Sequence, residues 1–295
     1  MKQQRGRSNL EGVFEIEEIP SDTQRREILD GASTEPLRRV LPQTFEQRRR
    51  VGGTTRFVTA GAGEKYSTTA WDGSEYFPST KLQCPGCLRQ QSAKGETHSS
   101  PLVVAATVTR AGSHEILPLE AEAVRNEAGQ PAQAGALTAA KRWVKRRREE
   151  HRPLKLCLLG DDLYGHEPFI LELRQLRRGF VLVAKPTAHA GLFERVAALE
   201  RRGECVRGTW EAGPGSKRRS GEYRSATPVP LTQAGQVRVN FVEVWDRAPA
   251  GTVLSPNSGV TEVAVTRAPG ATIVGMGRSR WKSETAQFNV QKNHG

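Results

Sequence analysis

Asp72, the pair Asp161-Asp162 and Glu284 are the residues whose types and settings offer chemistry. Asp72 stands at the end of a Thr-, Ala- and Trp-rich strand segment and before Gly73; Asp161 and Asp162 follow the apolar run Leu154 to Leu159 and Gly160; Glu284 lies in the last helical segment. Hard divalent cations take oxygen ligands, so a few carboxylates on rigid elements can hold Mg²⁺ or Mn²⁺ for phosphoryl transfer. Carboxylates at strand ends converge on one sheet edge, where ligand sites of α/β cores form. Each residue also has an ordinary reading. Asp-Gly is a turn pair, and a carboxylate before a helix serves as an N-cap. Glu284, four residues after Arg280, has the spacing of a helical ion pair worth roughly 0.2–0.5 kcal/mol.

Other groups offer less. Cys84-x-x-Cys87 has zinc-ligand spacing and His98 is a candidate third ligand, but there is no second CxxC, and Cys157 falls in a buried-looking strand, so the weight is against a structural zinc. A dense basic set (Lys141, Arg142, Lys145, Arg146, Arg147 and Arg148) covers one helix; it reads either as a solvated face or as a contact for a nucleic-acid backbone. His166 reads as local to its loop.

Elements able to position these residues follow from the pattern. Residues 9 to 50 carry helical spacing with start signals at Ser21-Asp22 and Ser33 to Pro36. Strand signals follow over Tyr66 to Phe77 and Leu102 to Val108, and Glu115 to Leu119 is set to pair with the latter as a hairpin. A helix over Leu137 to Arg152, a strand over Leu154 to Leu159, a helix over Phe169 to Arg178 and a strand over Phe180 to Ala184 make a βαβ pattern, which predicts a parallel pair. Residues 205 to 268 alternate as strands, and Ala271 to Lys292 return to helical spacing, with Ile273, Trp281 and Phe288 able to share a face. The pattern therefore predicts an α/β chain with an N-terminal helical region and a mainly-β insertion over 205 to 268.

The totals narrow the partners. The 295 residues carry a formal charge of +12 with a pI near 10.0, which points to a polyanion. No run of about 18 apolar residues could span a bilayer and no apolar leader follows the first residues, so the expectation is a cytoplasmic protein without membrane attachment. Four cysteines do not make a disulfide framework and fit a reducing compartment.

The strings around the carboxylates add a resemblance. WDGSEYF (71–77) with the CPGC after it, LLGDDLYGHEPF (158–169), LVAKP (182–186) and GRSRWKSE (277–284) resemble, in this order, the blocks of bacterial insertion-sequence transposases of the DDE class, and RSNLEGVFEIEEIPSDTQRREIL (7–29) is similar to the start of such proteins. The resemblance covers nearly the whole chain. It implies a ribonuclease-H-like α/β core, a mixed sheet flanked by helices, built from 56–190 and 268–295, with an N-terminal helical region over 1–55, a mainly-β insertion over 191–267, and Asp72, one of Asp161 and Asp162, and Glu284 as catalytic acids. Asp161, directly after strand and glycine, is favoured for metal over Asp162, which is left free to cap the helix.

The resemblance further implies two Mg²⁺ or Mn²⁺ ions held by Asp72, Asp161 and Glu284, DNA cleavage at element ends and strand transfer to target DNA. The partners would be terminal inverted repeats and target DNA, with a homodimer in the synaptic complex and end recognition by the N-terminal helices. Around the third acid, relatives carry Tyr, two residues, Arg, three residues, Glu, six residues, Lys. Here Arg280 and Glu284 keep that spacing, Gly277 replaces the Tyr, and Lys292 stands one step late. Arg280, Lys282 and Lys292, with Lys141, Arg142 and Lys145, are the DNA-binding candidates. Relatives usually continue beyond the Glu-bearing helix, so a C-terminally truncated copy is expected. The rival readings are a non-catalytic DNA-binding remnant and a ribonuclease-H-like nuclease without strand transfer.

Overall fold

The structure, a computed structural model, describes residues 20–33, 36, 39–61, 64–75, 79–80, 87–91, 95, 97–125, 132–150, 155–212, 219–247, 256–265 and 267–288. The chain divides into two units, Met1–Val40 and Leu41–Gly295. In the first, α1 (Asp22–Gly31) opens with a capping box. Gln24 N donates to Ser21 Oγ at 3.3 Å and Ser21 N donates back to Gln24 Oε1 at 3.0 Å, so each side chain satisfies a backbone donor that the helix leaves open. The predicted helical stretch before residue 20 lies outside the described residues.

The second unit opens within α2 (Val40–Arg50), which buries Phe45, and continues through β1 (Val58–Gly61), β2 (Glu64–Glu75), a short hairpin of β3 (Leu88–Gln91) and β4 (Thr97–Ser100), β5 (Leu102–Val108), β6 (Leu117–Pro118) and β7 (Glu122–Ala123). Next come α3 (Ala132–Glu150), β8 (Leu156–Gly160), α4 (Glu167–Gln175), β9 (Gly179–Val183) and α5 (Ala190–Arg201). Strands β10 (Val206–Ala212), β11 (Arg219–Pro230), β12 (Arg238–Asp246) and β13 (Asn257–Thr261) precede α6 (Arg267–Arg278).

An eleven-stranded mixed sheet runs in the order β10-β11-β12-β13-β9-β8-β2-β5-β6, with β1 on β2 and β7 on β5. β8 is parallel to β2 on one side and to β9 on the other, as two strands joined by a crossover helix require; the other neighbours are antiparallel. The strands of the expected insertion do not stand apart: β13 pairs with β9, so β10 to β13 extend the same sheet. The predicted hairpin forms with Thr107 opposite Pro118 and Val108 opposite Leu117, and Gly112 supplies a φ of 74° in its loop, a region where a side chain strains the backbone.

Helices cover both faces because the strands alternate. Trp71, Leu156, Leu158 and Phe180 point to one side and pack with Trp143 of α3, Tyr164, and Phe169 and Ile170 of α4. The Trp71 and Trp143 rings meet edge to face at 5.0 Å, and the Trp143 indole donates to Glu120 O at 2.9 Å, giving a buried donor its partner. Tyr66, Ala70, Cys157, Leu159 and Val181 point to the other side and pack with Ile273, Val274 and Met276 of α6.

The basic face of α3 is occupied by ion pairs. Arg142 and Arg146 reach the buried Glu122 at 3.0 and 2.7 Å, Lys141 and Lys145 reach Glu172 at 3.5 and 3.1 Å, and Arg147 pairs with Glu120 in the interior. Lys141, Arg142 and Lys145, expected to meet DNA, are thus engaged with carboxylates of this chain, because β7 and α4 bring those acids alongside α3. Cys84 lies outside the described residues. Cys87 is disulfide-bonded, so its sulfur is not a free thiolate for the structural zinc that the sequence weighed against. No helix among the described residues is long and apolar enough to cross a membrane.

Candidate active site

Ser67 to Ala70 of β2 pair in parallel with Leu156 to Leu159 of β8. Two residues further along that register, Asp72 comes beside Asp161 on strands about 4.8 Å apart. Side chains two apart on a strand share a face, so both carboxylates project on the side of Ala70 and Leu159, where α6 packs. Asp72 is not at a strand end, as its Asp-Gly sequence suggested. β2 continues through Gly73 to Glu75 because β5 pairs with it there, Ala105 opposite Asp72 and Val104 opposite Gly73.

Asp161 sits where β8 turns. A Cβ on Gly160 would stand 2.8 Å from Tyr164 Cδ2 and 3.0 Å from Leu182 Cδ2, so glycine lets the chain bend beneath the Tyr164 ring. The Asp161 side chain accepts from Leu163 N at 3.1 Å and caps the 3₁₀ turn Asp162–Tyr164. Capping was expected of Asp162 and falls to Asp161, because Asp162 turns away. Its Oδ1 accepts from Lys185 N at 2.9 Å, just past β9, and lies 3.3 Å from His189 Nε2. The His189 ring stacks on His166 with centroids 5.0 Å apart. Together the two histidines line a cavity of about 480 Å³ with Glu167, Arg195, Thr232 and Gln233.

Glu284 arrives by a change of helix type rather than along a uniform helix. α6 ends at Arg278, a 3₁₀ turn covers Ser279–Trp281, and a π turn covers Ser283–Phe288. Steps of four and eight residues therefore do not trace one stripe. Ile273 and Phe288 are buried while Trp281 is 57% exposed, so the three do not share a face, and Lys292 lies outside the described residues. The junction is pinned to the sheet: Ser279 Oγ donates to Met276 O at 2.7 Å and stands 3.0 Å from Thr109 Oγ1, and Thr109 N donates to Thr68 O of β2 at 2.8 Å. The Lys282 ammonium, between the 3₁₀ and π turns, donates to Arg110 O, which ties this junction to the β5–β6 loop and commits a group expected to contact DNA.

Charge is concentrated here. Burial, the Glu284 and Asp161 carboxylates and a hydrogen bond to Glu284 raise the Asp72 pKa to about 6, with Arg280 opposing. Burial also raises Asp161 above the ordinary carboxylate range, against the Leu163 N–H, Arg280 and Lys185. Arg280 Nη1 lies 3.1 Å from Glu284 Oε1, and its guanidinium stands 5.5 Å from the centroid of the exposed Trp281 ring. The ion pair and the cap read from sequence are therefore both present, on the residues that also cluster.

Among the described residues no group of three His, Cys, Asp or Glu side chains is arranged to hold a metal ion. Asp72 and Glu284 are hydrogen-bonded to each other and Glu284 to Arg280. What the arrangement offers is hard oxygen donors, with Asp72 and Asp161 held above the ordinary carboxylate range first by burial and Arg280 opposing. Sequence reasoning assigned no role to Lys185 and His189. The available signal was Lys185 directly after the apolar strand next to β8, at the same carboxyl edge as Asp161.

No family model and no curated protein matches the chain. Among solved structures, the NurA nuclease from Sulfolobus solfataricus is similar at 10% sequence identity and a TM-score of 0.29, over 88% of this chain and 86% of that one.

Proposed function

We propose that this chain is a DDE transposase with a ribonuclease-H-like core, and that Asp72, Asp161 and Glu284 are its catalytic acids. The observation that carries the reading is the meeting of Asp72 and Asp161, on adjacent parallel strands, with a glutamate delivered from more than a hundred residues further along the chain. The core assignment is supported by the order β6-β5-β2-β8-β9, three antiparallel strands continued by a parallel pair, with α3 and α4 as the connecting helices. The strands β10 to β13, between the second and third acids, take the place of the expected insertion, residues 191–267. The formal charge of +12 suits a DNA substrate.

Asp72, Asp161 and Glu284 would hold two Mg²⁺ or Mn²⁺ ions, and the donor set fits by its chemistry, being all hard carboxylate oxygen. When bound, such ions activate water and stabilise the leaving 3′ oxygen in an in-line displacement. The chain's own groups do the rest. Asp72 gives up its proton, Glu284 exchanges its bond to Arg280, and the released guanidinium is then free to take a DNA phosphate through two parallel N–H donors. Trp281 offers an exposed ring beside that phosphate. Substrate DNA would be the element's terminal inverted repeats and the target duplex, brought together by a homodimer.

The test is incubation of the purified chain with Mn²⁺ and a labelled duplex ending in the inverted repeats that flank its gene, beside a duplex of scrambled sequence. Cleavage leaving 3′-OH ends on the repeats alone, followed by joining to target DNA and lost in Asp72→Asn and Glu284→Gln, is the expected result. Cleavage of both duplexes without joining would replace the reading by a nuclease; binding without products would leave a DNA-binding remnant.

A further inference from the structure

We infer that Asp162 and His189 are positioning residues for Asp161, with Asp162 acting as a strut and not as a ligand of the metals. The inference rests on the proposed metal-dependent reading of the site. Asp161 lies between β8 and α4, where its side chain accepts from Leu163 N and its carbonyl from Tyr164 N, both bonds local to one 3₁₀ turn. Such a turn needs a tie to something rigid. Asp162 supplies one: its Oδ1 accepts the Lys185 N–H at 2.9 Å, which fastens the turn to the chain leaving β9, the strand next to β8.

His189 completes the tie from the far side. Its Nε2 stands 3.3 Å from the same Oδ1, and its side chain is only 5% exposed. His189 is the N-cap residue of α5 and His166 the N-cap residue of α4, and the stacked rings therefore bridge the starts of the two helices that follow β8 and β9. A Cβ on Gly165 would fall 2.7 Å from Val183 O, so the segment after the strut also lies tightly against β9. Asp162 thus commits its Oδ1 to groups of the fold, while the Asp161 charge acts on Asp72. Partners of this kind, one step behind a ligand, set the orientation of metal-binding groups, and their loss weakens metal binding about 10–100-fold.

The test is Mn²⁺ binding to the DNA-free protein, followed by electron paramagnetic resonance, with thermal melts of each variant. Asp162→Asn keeps a carbonyl oxygen for Lys185 N–H and His189, and binding within about threefold of wild type is expected. Asp162→Ala removes the acceptor, and affinity falls about tenfold. His189→Ala gives a smaller loss in the same direction, and Asp161→Asn the largest. Loss in Asp162→Asn as deep as in Asp161→Asn would make Asp162 a ligand and overturn the strut; so would an Asp162→Ala variant that binds Mn²⁺ like wild type. If Asp162→Ala does not fold, Asp162→Asn alone decides. Wild-type protein that binds no Mn²⁺ would overturn the proposed function, and this inference with it.

Discussion

Asp161, one residue past the end of β8, stands beside Asp72 within β2, and each carries a pKa above its ordinary value. For Asp72, raised to about 6, the sign for stability follows directly. An acid whose folded pKa exceeds its unfolded one adds stability below the unfolded value and loses it as pH rises through the folded value. Without metal, melting temperature is expected to fall from this cause as pH is raised from the ordinary carboxylate range to just above 6. Asp72→Asn, whose amide still donates to Glu284, flattens that part of the curve. Calorimetry in chelator across this window checks it.

Arg280 holds the Asp72 and Asp161 pKa values down, and removing it raises both. In Arg280→Ala the pH-dependent part of the melting curve is expected to move upward from about 6. Mn²⁺ binding at pH 6 weakens several-fold, while at pH 8 it is nearly restored. A titration of bound Mn²⁺ against pH reads the shift.

Gly160→Ala should be costly for its size. The added methyl meets Tyr164 Cδ2 at 2.8 Å and Leu182 Cδ2 at 3.0 Å, both in the packed interior. A loss of about 1–3 kcal/mol is expected by urea unfolding, with a weaker Mn²⁺ site as the turn bearing Asp161 shifts.

Glu120 and Arg147 are buried together, each side chain 5% exposed. Glu120→Ala leaves a guanidinium in the interior and is expected to cost about 3–5 kcal/mol, whereas the double replacement Glu120→Leu, Arg147→Met is near neutral. Chemical denaturation of the two variants separates these outcomes.

Lys141 and Lys145 both serve Glu172. Replacing them with alanine should leave the slope of log affinity for DNA against log salt unchanged, since a slope change of about 0.9 accompanies each lost phosphate contact. Arg280→Ala is expected to reduce that slope. Filter binding at several salt concentrations measures both.

The elements legible in sequence were those whose residues speak locally. LVVAATV, β-branched and apolar, forms β5 over the predicted residues 102–108, and the βαβ pattern around Asp161 appears as β8, α4 and β9 with ends moved by a few residues. Asp72 was misplaced because its local signal, Asp-Gly, was overridden by a partner far along the chain: β5 extends the ladder through Gly73. Glu284 was assigned to a uniform helix since period 3.6 cannot foresee a 3₁₀ turn followed by a π turn, which depends on Thr109, Met276 and Arg110 as anchors. The basic run on α3 gave its charge but not its use, because Glu122 and Glu172 reach it only through tertiary packing.

The carboxylates meet only after the chain has threaded from β2 through β8 to the π turn at Ser283–Phe288. Contacts of such long sequence separation form late in folding. On the ribosome, a growing chain can complete β2, β5 and β8 and still lack its third acid. If the proposed activity needs all three acids, it would begin only once the residues around Glu284 have emerged and docked on the sheet.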